Sequence, residues 1–256
     1  MYRVPEAALP FGLNNSPVGT HGSRTVMLSE LRLLLEACPP DAGYADYRSA
    51  VVEENVLGKR TVTTRKESVR RLRELYALSL DVLLFRVLRD LWSADPAAHP
   101  LLALLCAAAR DPILRATAEP ILAADPGDSV SPQVIAKAAS EAFPGRYNPT
   151  MLANIGRHAA SSWRQSGHLE GRFNKTRVRV ESRPEAVAYA LLLGRLCGAG
   201  GAGLFLTFWS RLLDAPEATL RDQAVTASRL GWIEYRSAGG VTEVGFGHLL
   251  GEKGVS

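Results

Sequence analysis

Linear motifs that announce a particular chemistry are missing from this 256-residue chain. Its three cysteines, Cys38, Cys106 and Cys197, are far apart and form no C-x-x-C pair. That argues against a zinc site and for buried free thiols in a reducing compartment. No nucleophile elbow, P-loop or H-E-x-x-H occurs. His158 and His168 lack Cys or carboxylate companions at ligand spacing, so they are expected at the surface or beside phosphate rather than on a metal. Gly198, Gly200 and Gly203 match G-x-G-x-x-G, but a helical pattern rather than a strand leads into them, which makes a helix–helix turn the expectation. Residues 186–209 are apolar enough to raise the question of a membrane span. Arg195 lies mid-span, however, and an arginine at a helix centre costs about 2.5–3.5 kcal/mol on insertion scales. A buried helix pair is therefore expected. The first residues carry no basic region followed by an apolar core and cleavage site, so no secretion signal is expected. No catalytic residue, metal or cofactor is expected.

What the chain does have is an ordinary apolar fraction (46%) and an uneven distribution of charge behind a net +4. Residues 59–73 hold seven Lys/Arg against one Glu, and residues 146–179 hold seven more against Glu170 alone. The rest of the chain is correspondingly acidic. Two cationic clusters on an acidic background are the pattern expected of a protein that meets phosphate.

In chain order, residues 1–24 are rich in Pro, Gly, Asn and Ser and are expected to form a flexible arm or irregular wrap. Helices are expected over Val26–Ala37 and Tyr44–Leu57. Thr64 and Glu67 have capping-box spacing, and Val69, Leu72, Tyr76, Leu80, Leu83, Val87 and Leu91 then follow one face, which predicts a single long helix. Short helices are expected on either side of Pro112. DPGDSVS, 125–131, is expected to be a linker and domain boundary. Ser131 and Pro132 start a helix to Phe143. Asn148 and Pro149 open another, with Met151, Leu152, Ile155, Ala159 and Trp163 as its buried stripe and Gly167 as its stop. A hairpin around Gly171–Lys175 is expected next, with Lys175, Arg177 and Arg179 on the outer face and Val178 and Val180 inward. Helices follow over 186–197, 204–213 and 216–229, then a second hairpin around Gly239-Gly240.

Helix, glycine stop and hairpin thus occur twice. The expected fold is mainly α: an arm (1–24), a helical domain (25–125), a winged helix-turn-helix (126–183) and a C-terminal helical, winged-helix-like domain (184–256). The expected DNA contacts of the first module are Arg146, Asn154, Arg157, Ser161, Arg164, Gln165, Arg172, Lys175, Arg177 and Arg179. Lys59, Arg60, Arg65, Lys66, Arg70 and Arg73 form a second candidate surface, which also reads as a solvated face or a partner surface.

The stretch Asn55–Leu75, NVLGKRTVTTRKESVRRLREL, resembles the corresponding segment of the BrxA family of BREX phage-exclusion systems. The likeness lies in Asn-x-Leu, a Lys-Arg-Thr turn and an arginine-rich helix, and the order of parts over 26–180 is also similar. The resemblance implies a cytoplasmic bacterial defence protein. It would bind double-stranded DNA alongside other proteins of the system, among them a methyltransferase, an ATPase and a phosphatase-like protein. A winged-helix transcriptional regulator, or an adaptor whose basic surfaces grip acidic protein partners, would also account for the charge pattern.

Overall fold

The structure is a computed structural model that describes residues 2–16 and 19–251. It is mostly helical. In the first half come α1 (Leu28–Ala37), α2 (Tyr44–Val52), α3 (Val62–Tyr76), α4 (Leu83–Trp92), α5 (His99–Arg110), α6 (Pro112–Ala116) and α7 (Glu119–Leu122). A middle unit follows, made of α8 (Pro132–Ala142), α9 (Pro149–Gln165) and the short strands β1 (Leu169–Glu170) and β2 (Thr176–Arg177). The last part is α10 (Pro184–Leu196), α11 (Phe208–Arg211), α12 (Glu217–Arg229), the hairpin β3 (Glu234–Ala238) and β4 (Val241–Gly245), and α13 (Gly247–Leu250). No helix among the described residues is long and apolar enough to cross a membrane.

The core sits around α5 and α10. Every residue from Leu101 to Ala109 and from Ala186 to Leu193 is buried, as expected of helices apolar on all sides. Tyr189 spans between layers, its hydroxyl donating to the Leu84 carbonyl at 2.8 Å. After α10 the glycine-rich stretch turns the chain through a 3-10 helix, Gly201–Leu206, into α11.

Two local expectations are corrected, and one open alternative is decided. The long helix from Thr64 to Leu91 is two helices, because Ala77 and Leu78 adopt positive φ (69° and 53°) and the chain turns between α3 and α4. Left-handed backbone costs roughly 1–2 kcal/mol per non-glycine residue. Burial of both side chains offsets that cost, so no Gly or Pro marks the break. The cap of α3 is Thr61, whose hydroxyl accepts from the Thr64 N–H at 3.2 Å, and Glu67 faces Arg70 and Arg71 instead of the helix start. The described part of the N-terminal arm is a wrap: Val4, Ala8, Leu13, Thr20 and His21 are buried against the helical body.

The expected linker at 125–131 also has a structural task. Gly127 N–H donates to the Arg177 carbonyl (2.8 Å), Arg177 N–H to the Asp128 carbonyl (2.8 Å) and Val130 N–H to the Lys175 carbonyl (2.9 Å). Ser129 therefore pairs antiparallel with Thr176, on the opposite side of β2 from β1. The middle unit runs strand segment, α8, α9, β1, β2, with β2 between the other two strands.

Candidate nucleic-acid interface

α9 is set by its ends and by one close approach. The Asn148 side chain accepts from the Met151 N–H at 2.8 Å, and the chain leaves the helix through Gly167 at φ +89°. At Gly156 the helix lies so near α8 that a Cβ would fall 2.2 Å from the Pro132 carbonyl oxygen, so only glycine permits this crossing. Inward, Ile155, Ala159 and Trp163 are buried, and the Trp163 indole N–H donates to the Thr117 hydroxyl at 2.9 Å. Met151, expected inward, is 39% exposed.

The back of α9 is held by a polar chain that the sequence did not announce. His21 Nδ1 lies 2.7 Å from Asp111 Oδ2, and its Nε2 lies 2.9 Å from the Ser162 hydroxyl. Ser162 Oγ also accepts from the Val26 N–H and donates to the His158 carbonyl, both at 2.9 Å. Asp111 has a pKa lowered against the pull of burial, chiefly by His21. Acid, imidazole and hydroxyl are connected as in a serine nucleophile's relay, but Ser162 is fully buried and its one proton is donated to the His158 carbonyl. In this arrangement the relay pins the 20–26 segment to α9 and α6. Gln165 adds to the same seam: its side-chain carbonyl accepts from the Leu28 N–H at 3.0 Å, so it is a tether rather than a groove-facing group.

On the outer side, Asn154, Arg157, Ser161 and Arg164 follow at helical spacing along one stripe, with Arg157 and Arg164 exposed. Arg157 donates to the Asn154 side chain. Arg164 is near enough to Lys175 to help lower its pKa, after burial, the larger cause. Lys175 in turn donates to the Gly171 and Arg172 carbonyls at 3.1 and 2.7 Å, which brings the hairpin tip beside the end of α9. Arg146, in the turn before α9, and Arg172, in the tip, are exposed. None of Arg146, Arg157, Arg164 or Arg172 forms an ion pair among the described residues.

The hairpin's own cations are a correction. Lys175, Arg177 and Arg179 do not form a common outer face. Lys175 and Arg177 are buried, whereas Arg179 is exposed and lines a separate depression with Leu122, Arg211 and Asp214. The reason is Asp214, whose carboxylate neutralises Arg177 at 2.7 Å and lets the cation occupy the inner face. Val178 and Val180 are only partly buried. His168 is a second correction, being fully buried, with Nε2–H donating to the Leu212 carbonyl at 3.0 Å. Burial lowers its pKa to about 4. His158 is half-buried, donates from Nδ1 to the His21 carbonyl at 3.3 Å, and also has a pKa lowered mainly by burial.

On α3 most of the cationic cluster is spent internally. Lys59 pairs with Glu30 at 2.9 Å, and Arg65 donates to the Lys59 and Val52 carbonyls at 3.1 Å. Arg70 and Arg71 each pair with both Glu67 and Glu74. The two arginines hold the Glu67 carboxyl down at about 2. Arg73 lies over the Tyr44 ring at 4.0 Å from its centroid, and Arg60 and Lys66 remain exposed. The corresponding helix of the last unit, α12, carries Arg221 paired with Glu217 at 2.7 Å and bonded to Tyr235 and Thr242.

Sequence reasoning missed His21, Asp111, Asp214 and Phe173. Asp111 before Pro112 has the form of a helix cap, and its side chain does accept from the Ile113 and Leu114 N–H groups. Nothing local marks His21 or Asp214, because their partners are distant in the chain. No protein-family model and no curated protein matches the sequence.

Proposed function

We propose that the outer face of α9, with the adjoining β1–β2 tip, binds double-stranded DNA in the manner of a winged helix-turn-helix. The observation that carries this reading is the set of exposed arginines at 146, 157, 164 and 172 that have no acidic partner, on a chain whose other arginine-rich helix, α3, supplies Glu67 and Glu74 for its own. Cations without an acidic partner, gathered on a helix and a neighbouring hairpin, fit a polyanion. The winged-helix reading is supported by the order strand, helix, helix, strand, strand, with the strand before α8 paired to β2. The face has no chemical step of its own in this reading; it positions the protein on a duplex.

The wider assignment is a cytoplasmic component of a BREX-type phage-defence system that works beside other proteins of that system. It rests on the resemblance of Asn55–Leu75 to the BrxA family. Duplex binding is tested by titrating salt. Four neutralised phosphates give a slope of log affinity on log salt of about −3.6. A flat slope, or no binding at low salt, removes the reading. Co-purification with the products of neighbouring genes tests the wider assignment, and recovery of the chain alone counts against it.

A further inference from the structure

The hairpin beside α9 ends in an aromatic ring. Phe173 is 83% exposed, the highest value of any large apolar side chain among the described residues. The tip that carries it is tightly built. Gly171 has φ +85°, and a Cβ there would fall 2.1 Å from the Asn174 carbonyl oxygen, so the turn closes only around glycine. The Lys175 ammonium ties the Gly171 and Arg172 carbonyls together from beneath. The Arg172 guanidinium lies over the Phe173 ring, 5.3 Å from its centroid. A flat apolar surface and a cation are thus offered side by side, a pairing that suits a base with its phosphate.

We infer that Phe173 is a wedge: on the duplex-binding reading above, the tip presses the ring against the bases at one step while Arg172 meets the adjacent phosphate. Platforms for single strands stack successive bases on several aromatics. This tip carries one ring, so it marks one step of a duplex. Inserting a ring means partly unstacking that step, so binding favours steps that are already weakly stacked.

The test is competition binding of the full chain to a matched duplex, the same duplex with one central mismatch, and its single strand. The parent is expected to prefer the mismatched duplex. Phe173→Ala should weaken binding to it about tenfold and erase the preference. Phe173→Leu should keep most of it, since leucine also serves as a wedge. A 2-aminopurine beside the mismatch should change its emission with the parent and not with Phe173→Ala. Equal affinity of the parent for matched and mismatched duplexes, or a preference that survives Phe173→Ala, overturns the wedge and leaves duplex binding standing. Tighter binding to the single strand than to either duplex also overturns it, in favour of stacking on unpaired bases. If the parent binds none of the three, both the wedge and the duplex reading fall.

Discussion

The Arg177 guanidinium meets the Asp214 carboxylate at 2.7 Å, with the two side chains 2% and 15% exposed. Asp214 also accepts from the Val180 N–H at 3.3 Å, so one carboxylate fastens the strand after α9 to the loop after α11. Breaking a buried pair by removing one partner typically costs about 3–5 kcal/mol, because the remaining charge is left uncompensated. Arg177→Ala is therefore expected to lower the melting temperature sharply, while the fraction that remains folded keeps its DNA affinity. A variant that melts like the parent but binds duplex poorly would return Arg177 to the list of DNA contacts.

Arg157, Arg164 and Arg172 give the opposite signature. All three are exposed, and exposed substitutions usually shift stability by no more than about 0.5 kcal/mol each. Replacing the three by alanine should leave the melt nearly unchanged. The magnitude of the salt slope should fall by about 2.7, or 0.9 for each lost phosphate contact. An unchanged slope would mean that these arginines do not touch the backbone.

The paired arginines of α3 supply the contrast. Arg70→Ala removes a cation already shared with Glu67 and Glu74, and such exposed pairs contribute about 0.2–1 kcal/mol. Duplex affinity is expected to stay at the parent value in a gel-shift assay. A clear loss would bring α3 into the interface.

Trp163 is fully buried, with its indole N–H bonded to Thr117. Trp163→Ala should cost about 3–5 kcal/mol, and binding should then fail through unfolding, in step with the loss of helical signal on heating. Binding lost with the parent melt intact would contradict a purely packing role.

His168 predicts a pH dependence. Its folded pKa is about 4 against an ordinary 6.5, so below 6.5 the unfolded chain takes up a proton that the folded chain refuses. Its contribution is therefore complete above 6.5 and is lost as pH falls toward 4, by roughly 3 kcal/mol in all. Denaturant titrations across that window should show a shallower pH slope for His168→Gln than for the parent. Identical slopes would rule His168 out as the source.

Helix positions were largely legible in the sequence, because apolar spacing and Asn148-Pro149, Ser131-Pro132 and Gly167 are local signals. The break at Ala77 and Leu78 was not legible, since the apolar spacing runs on across it and the strain is offset by distant packing. The stripe on α9 was legible for the same reason as its helix. The faces of the hairpin were not: alternation says that Arg177 and Val178 point apart, but which one faces inward depends on Asp214, 37 residues away. The charge count over 59–73 likewise missed that Glu74, just outside the window, closes a ladder with Arg70 and Arg71.

The pairing of 127–130 with β2 fixes something usually left free. Surface connections ordinarily absorb insertions, and a Pro/Gly/Asp/Ser stretch is where they are most often tolerated. Here Gly127 and Asp128 have backbone partners on β2 and Val130 on Lys175 just before it, and Ser131 caps α8 immediately afterwards. One added residue between them would separate the strand from the helix it starts, or turn its side chains to the opposite face. The stretch with the composition of a spacer is therefore held to one length.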